Sequence, residues 1–157
     1  MLSNQLASRL REVLLDGTWV ANTNFRDQLL KTNFEQATTK VADLNTIAAL
    51  AFHINYYVAG VLQVLEGGAL EISDKFSFDM PPLQSQEEWE KRLERYFDNA
   101  ERFAVAVEKK SDEELHAIFV KEAYGTYYRN IDVLIEHTYY HLGQMVLIRK
   151  LIDLKTK

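Results

Sequence analysis

The 157-residue chain contains no cysteine. Disulfides, thiolate metal ligands and cysteine nucleophiles are therefore excluded, and a reducing, cytoplasmic setting is expected. Basic residues are in deficit, with 18 Lys and Arg against 23 Asp and Glu and a formal net charge of -5. That balance weighs against a non-specific binder of phosphate backbones, so no nucleic-acid partner is expected. No apolar run approaches the length needed to span a bilayer, and no helix carries a strongly basic polar face, so no membrane contact is expected. The opening residues Met1 to Leu6 lack a basic region followed by an apolar block, so no secretory leader is read there. Gly-rich phosphate loops, nucleophile elbows and aromatic-basic nucleic-acid platforms are likewise missing. The only two prolines fall together, at Pro81-Pro82.

What is present is apolar. Hydrophobic residues make up 47% of the chain, with 8 Tyr, 8 Phe and 2 Trp. That suffices for one core, and residues 1–157 are read as a single domain. Leu2, Leu6, Leu10, Val13 and Leu14 recur at helical spacing, and Asp16-Gly17 supplies a residue suited to a left-handed cap. Residues 18–40 lack one long period. They predict an ordered connection with one or two short helices, opened by a capping box at Thr32 to Glu35, with Trp19, Val20 and Phe25 available to pack on the core. Asp43 is the expected N-cap of the second long helix, whose stripe is Ile47, Leu50, Ala51, Ile54, Val58, Val61 and Leu65; Gly67-Gly68 stops it. A long link, residues 69–84, carries Phe76, Phe78 and the prolines. Ser85 to Glu88 reads as a capping box for a third long helix with Trp89, Leu93, Tyr96, Ala100, Phe103, Ala104 and Val107 on one face. Ser111 to Glu114 caps a short turn. Tyr124-Gly125-Thr126 breaks the pattern before a last helix with Ile131, Leu134, Ile135, Leu142, Met145 and Ile152 directed inward. The fold class is all-α, a four-helix bundle in which the long link lets helices two and three run parallel.

The last helix holds two of the four histidines, His137 and His141, four residues apart and hence on one face. Two imidazoles so placed can share one metal ion, and a third ligand must come from elsewhere. His53 is the candidate, at the margin of the second helix's stripe and beside the small residues Ala49 and Gly60. Three neutral nitrogens leave a coordination position open, whereas structural zinc sites usually fill all four. The plainer reading stays open: histidines at this spacing can be surface residues, and a lone helical histidine can be a hydrogen-bonded core residue. Gln144, on the His137 side of the helix one turn beyond His141, and Tyr57, one turn beyond His53, are candidate pocket residues. Glu136 and Tyr140 point largely away. His116 follows Glu113 as Glu-x-x-His, but a di-iron bundle needs a second such pair and none exists. His116 is therefore read as a surface residue.

Two segments carry a family resemblance: Ala51–Tyr57 (AFHINYY) and Ile135–Gln144 (IEHTYYHLGQ). With them, the chain resembles the DinB-like superfamily of metal-dependent proteins, which includes the YfiT-like proteins, over essentially its whole length. The resemblance implies an up-down-down-up four-helix bundle and a divalent metal ion, zinc or nickel, held by His53, His137 and His141. It also implies homodimers. For activity it implies hydrolysis, or transfer or isomerisation using a low-molecular-weight thiol as the small-molecule partner, with thiol transfer slightly favoured. The competing expectation is a non-catalytic dimeric scaffold whose metal is structural or absent.

Overall fold

A computed structural model describes residues 1–155. The chain is all-helical, with no β-strand among the described residues. Its helices are α1 (Leu2–Arg11), α2 (Phe25–Leu30), α3 (Phe34–Thr38), α4 (Ile47–Leu65), α5 (Gln86–Glu108), α6 (Asp112–His116) and α7 (Tyr127–Lys155). The long elements pack through the faces that their periodicity marks. α5 lies against α1 and α4, and α7 lies against α4 and α1. All seven apolar residues expected on the third long helix are buried, from Trp89 to Val107. So are the six expected inward residues of the last helix. Burying side chains of this size contributes roughly 1.5–3 kcal/mol each before the entropy of ordering them.

Polar contacts set the register between these faces. Arg11 of α1 reaches Glu101 and Glu108 of α5 at 2.8 and 2.5 Å. The Asn99 amide donates to Asn55 Oδ1 at 2.9 Å, joining α5 to α4 in a half-buried position. The indole N–H of fully buried Trp89 donates to the Thr32 carbonyl at 2.8 Å, which anchors the segment between α2 and α3 onto α5.

The helix ends depart from the expected signals by a few residues. Asn33, not Thr32, opens α3, in a capping box with Gln36. Thr46, not Asp43, caps α4, its hydroxyl accepting from the Ala49 N–H at 3.1 Å. Asp43 and Thr46 are both competent caps, and the helix starts at the one adjacent to the first buried residue, Ile47. Ser85 accepts from the Glu88 N–H as expected, but Glu88 reaches back to the Gln84 N–H at 2.8 Å. The Ser111–Glu114 box forms in full. Gly67 and Gly125 take the positive φ values of 93° and 72° that end helical runs. Gly17 does not adopt a left-handed cap. α1 instead widens into one π-helical turn, Glu12–Asp16, and Gly17 leaves it in extended conformation, with φ -80° and ψ 154°. A Cβ there would lie 2.5 Å from the Glu12 Cα, so the close approach is what requires glycine.

Two further expectations are corrected. Phe25 packs into the core, but Trp19 is 89% exposed and Val20 is also exposed. Ala21 and Asn22 both have positive φ, forming a turn that carries these two side chains outward. α4 is long and apolar enough, by length and composition, to cross a membrane; 67% of that window is buried within the protein. One histidine and no Asp, Glu, Lys or Arg occur in α4, because it faces α5, α7 and the link on different sides.

Residues 66–85 fold back along α4. Tyr56 Oη pairs with the Ser73 backbone, donating to its carbonyl and accepting from its N–H, both at 3.0 Å. Tyr57 Oη donates to Asp74 Oδ1 at 3.0 Å. Ile72 lies over Gly60, where a Cβ would sit 2.6 Å from its side chain. The small residue beside His53 thus admits the link. Arg92 of α5 donates to the carbonyls of Pro81 and Pro82 at 2.9 and 2.7 Å.

Candidate metal centre

His53, His137 and His141 converge. α4 brings the first and α7 the other two, and their potential ligand atoms all lie within 4.8 Å of one another. His137 Nε2 is 3.1 Å from His53 Nε2 and 2.9 Å from His141 Nε2. The rings meet edge to face, with centroids 4.5 to 4.9 Å apart. His53 and His141 are buried and His137 is half-buried.

The outer nitrogens fix the tautomers. The Ser77 carbonyl, 3.1 Å from His53 Nδ1, can only accept, so that nitrogen carries its proton and Nε2 is a lone pair. Gln144 Oε1, 2.6 Å from His141 Nδ1, does the same for His141. Two lone pairs then face His137 Nε2, which can offer at most one hydrogen. A cation resolves this surplus of acceptors; a hydrogen-bonded cluster of neutral rings does not. Ligands each ~2.05 Å from a shared tetrahedral ion lie ~3.3 Å apart, near the 3.1 and 2.9 Å of the two Nε2 pairs that His137 makes, within a set that spans at most 4.8 Å. The donor set therefore fits a divalent ion. Among the described residues no carboxylate joins the set, so three protein ligands leave a position free.

Electrostatics keep His53 and His137 neutral. Burial, together with repulsion from His141 and His53, pushes His137 down to about 4. His53 is also lowered, mainly by burial and further by His141, against opposing contributions from Ser77 and Asp74. A neutral imidazole is the form that binds metal.

The surroundings come largely from the link. Phe78 stacks on His53, with centroids 3.9 Å apart and planes within 11°. Tyr57 stands edge-on to His53 and His137, at 5.1 and 5.3 Å. Its hydroxyl is raised above the usual range by burial and by Asp74, with Ser77 opposing. Gln144, expected near the pocket, holds His141 by its outer nitrogen. Glu136 is exposed and paired with Arg129, away from the centre. Tyr140 is exposed, though its ring edge approaches His141 at 4.9 Å. His116 stands exposed on α6, its Nδ1 against the Asp112 carbonyl, and does not join the cluster. Ser77, Phe78 and Asp74 were missed in the sequence. The only signal for them was the unusual aromatic content of a long link.

No family model, curated protein or solved structure matches the chain in comparison.

Proposed function

We propose that the chain is a divalent-metal-dependent enzyme acting on a small molecule, with His53, His137 and His141 as the metal ligands. The observation that carries this reading is the convergence of three imidazole Nε2 atoms, two of them held as lone pairs by Ser77 and Gln144. A zinc or nickel ion bound there would act as a Lewis acid, polarising an oxygen or stabilising a thiolate at neutral pH. The histidines serve as ligands rather than general bases. Ser77 and Gln144 orient them and raise their basicity through the Nδ1 protons. Phe78 covers the His53 ring and excludes water from that side. Tyr57 lines the approach to His137, with its hydroxyl held by Asp74.

The reaction class follows the DinB-like resemblance: transfer to or from a low-molecular-weight thiol, or hydrolysis. In the same reading, α1, α4, α5 and α7 form the up-down-down-up bundle, the chain is a homodimer, and it works in the cytoplasm. A second reading is a non-catalytic dimeric scaffold. It is favoured by the outward face of α7, where Tyr140 and Leu147 are 65% and 56% exposed around Gly143.

Metal content by mass spectrometry tests the ligand set. One equivalent is expected in the wild type and well under half in His53→Ala, His137→Ala and His141→Ala. Unchanged metal in all three variants would refute the assignment. Turnover of thiol or ester substrates that is lost in His141→Ala supports the enzyme over the scaffold.

A further inference from the structure

A groove of about 240 Å³ opens beside His137, between α4 and α7. Tyr57, Val61, Asn130, Val133, Leu134 and His137 line it. No Asp, Glu, Lys or Arg is among them, whereas the clefts elsewhere on the surface carry charges: Glu66 with Arg102, Asp27 with Arg149, Arg11 with Glu12. The polar groups on the groove wall are mostly committed within the protein. The Asn130 amide donates to the carbonyls of Tyr124 and Thr126 at 2.7 and 2.8 Å, and Tyr57 Oη donates to Asp74. His137 belongs both to the groove and to the tri-histidine cluster, and Tyr57 on the groove wall meets its ring at 5.3 Å. The groove therefore adjoins the centre.

We propose that this groove is the substrate-binding site and takes an uncharged, chiefly apolar body, with the substrate's reacting head at the tri-histidine centre. The proposal rests on the reading of that cluster as a metal site. At roughly 30 Å³ per water-sized unit the groove accepts a group about as large as phenethyl. An ionised body would give up its hydration there with no counter-charge to replace it. The specificity expected is thus for neutral thiols, esters or related electrophiles with an aryl or short alkyl body, and against charged carriers of the same reactive group.

Two thiols that share a metal-seeking head separate these cases. Zinc-loaded protein with ¹³C-labelled methyl groups is titrated with 2-phenylethanethiol and with 2-mercaptoethanesulfonate. The first should shift the methyl resonances of Val61, Val133 and Leu134 and bind at least about tenfold more tightly. Val133→Glu, on an exposed wall position, should remove most of that preference while leaving metal content unchanged. Equal affinities, or shifts located elsewhere, would overturn the proposal. Ethylbenzene titrated into chelator-treated protein keeps the two readings apart. Movement of the same methyl groups in protein that then takes up no zinc or nickel when either is added back supports the groove and refutes the metal centre. Metal bound at one equivalent with those methyl groups unmoved by either ligand does the reverse.

Discussion

The side-chain oxygen of Gln144 lies 2.6 Å from Nδ1 of His141, one turn back on the same helix. This contact turns His141 Nε2 toward His137 and His53. Outer partners of this kind typically contribute 10–100-fold to metal affinity. Gln144→Leu should weaken zinc binding by about tenfold with little loss of helix content. Gln144→Glu, which still accepts, should retain or strengthen it. Competition against a chromophoric chelator measures both, and equal affinities for wild type and Gln144→Leu would contradict the role.

Phe78 stacks on His53 from the link, and Ser77 beside it accepts from the same ring. Phe78→Ala removes the stack but leaves all three ligands. The expected result is retained metal, a loss of about 1 kcal/mol in stability, and faster hydrogen exchange at residues 73–80. Unchanged exchange there would show that the stack does not hold the link in place.

His137 sits well below its ordinary value of 6.5, at about 4, because its charged form is penalised by burial and by the other two rings. His53 is shifted the same way. The unfolded chain therefore takes up these protons first as pH falls. Stability of metal-free protein should be greatest above pH 6.5 and decline as pH drops toward about 4. Urea unfolding of chelated protein at pH 7.5, 6 and 5 measures the slope. His137→Ala should flatten it; an equal slope in that variant would place the linkage elsewhere.

The outward face of α7 gives the prediction for assembly. Tyr140, Leu147 and Leu154 recur every seventh residue and are all exposed, and a Cβ at Gly143 would meet nothing within 4 Å. Large apolar side chains aligned this way mark an interaction face, and a second copy of the chain is the expected occupant. Sedimentation analysis should find a dimer for the wild type and a monomer for Leu147→Asp, with helix content unchanged. A monomeric wild type at micromolar concentration would refute this.

The helices and the histidine triad were legible for specific reasons. α5 alternates charged and apolar residues so regularly that each of its core positions, from Trp89 to Val107, follows from the 3.6-residue period. His137 and His141 share a face by spacing alone, and His53 could be paired with them because it is the only other histidine on a long helix. Helix starts were less legible, since neighbouring residues such as Asp43 and Thr46 are equally able caps and tertiary packing chooses between them. Ser77 and Phe78 were not legible as parts of the site. They belong to a segment without period, and their contacts with His53 span 24 and 25 residues of sequence. Trp19 was misjudged because hydrophobicity alone carries no information about the positive-φ turn at Ala21 and Asn22 that turns it outward.

The central claim is that three imidazole nitrogens from α4 and α7 bind one divalent ion. Anomalous diffraction from a crystal of the purified protein, collected at the zinc and nickel absorption edges, tests it most directly. A single strong peak within about 2.2 Å of Nε2 of His53, His137 and His141 is the predicted result. The absence of any peak at the cluster after metal loading, or a peak ligated by other residues, would contradict it.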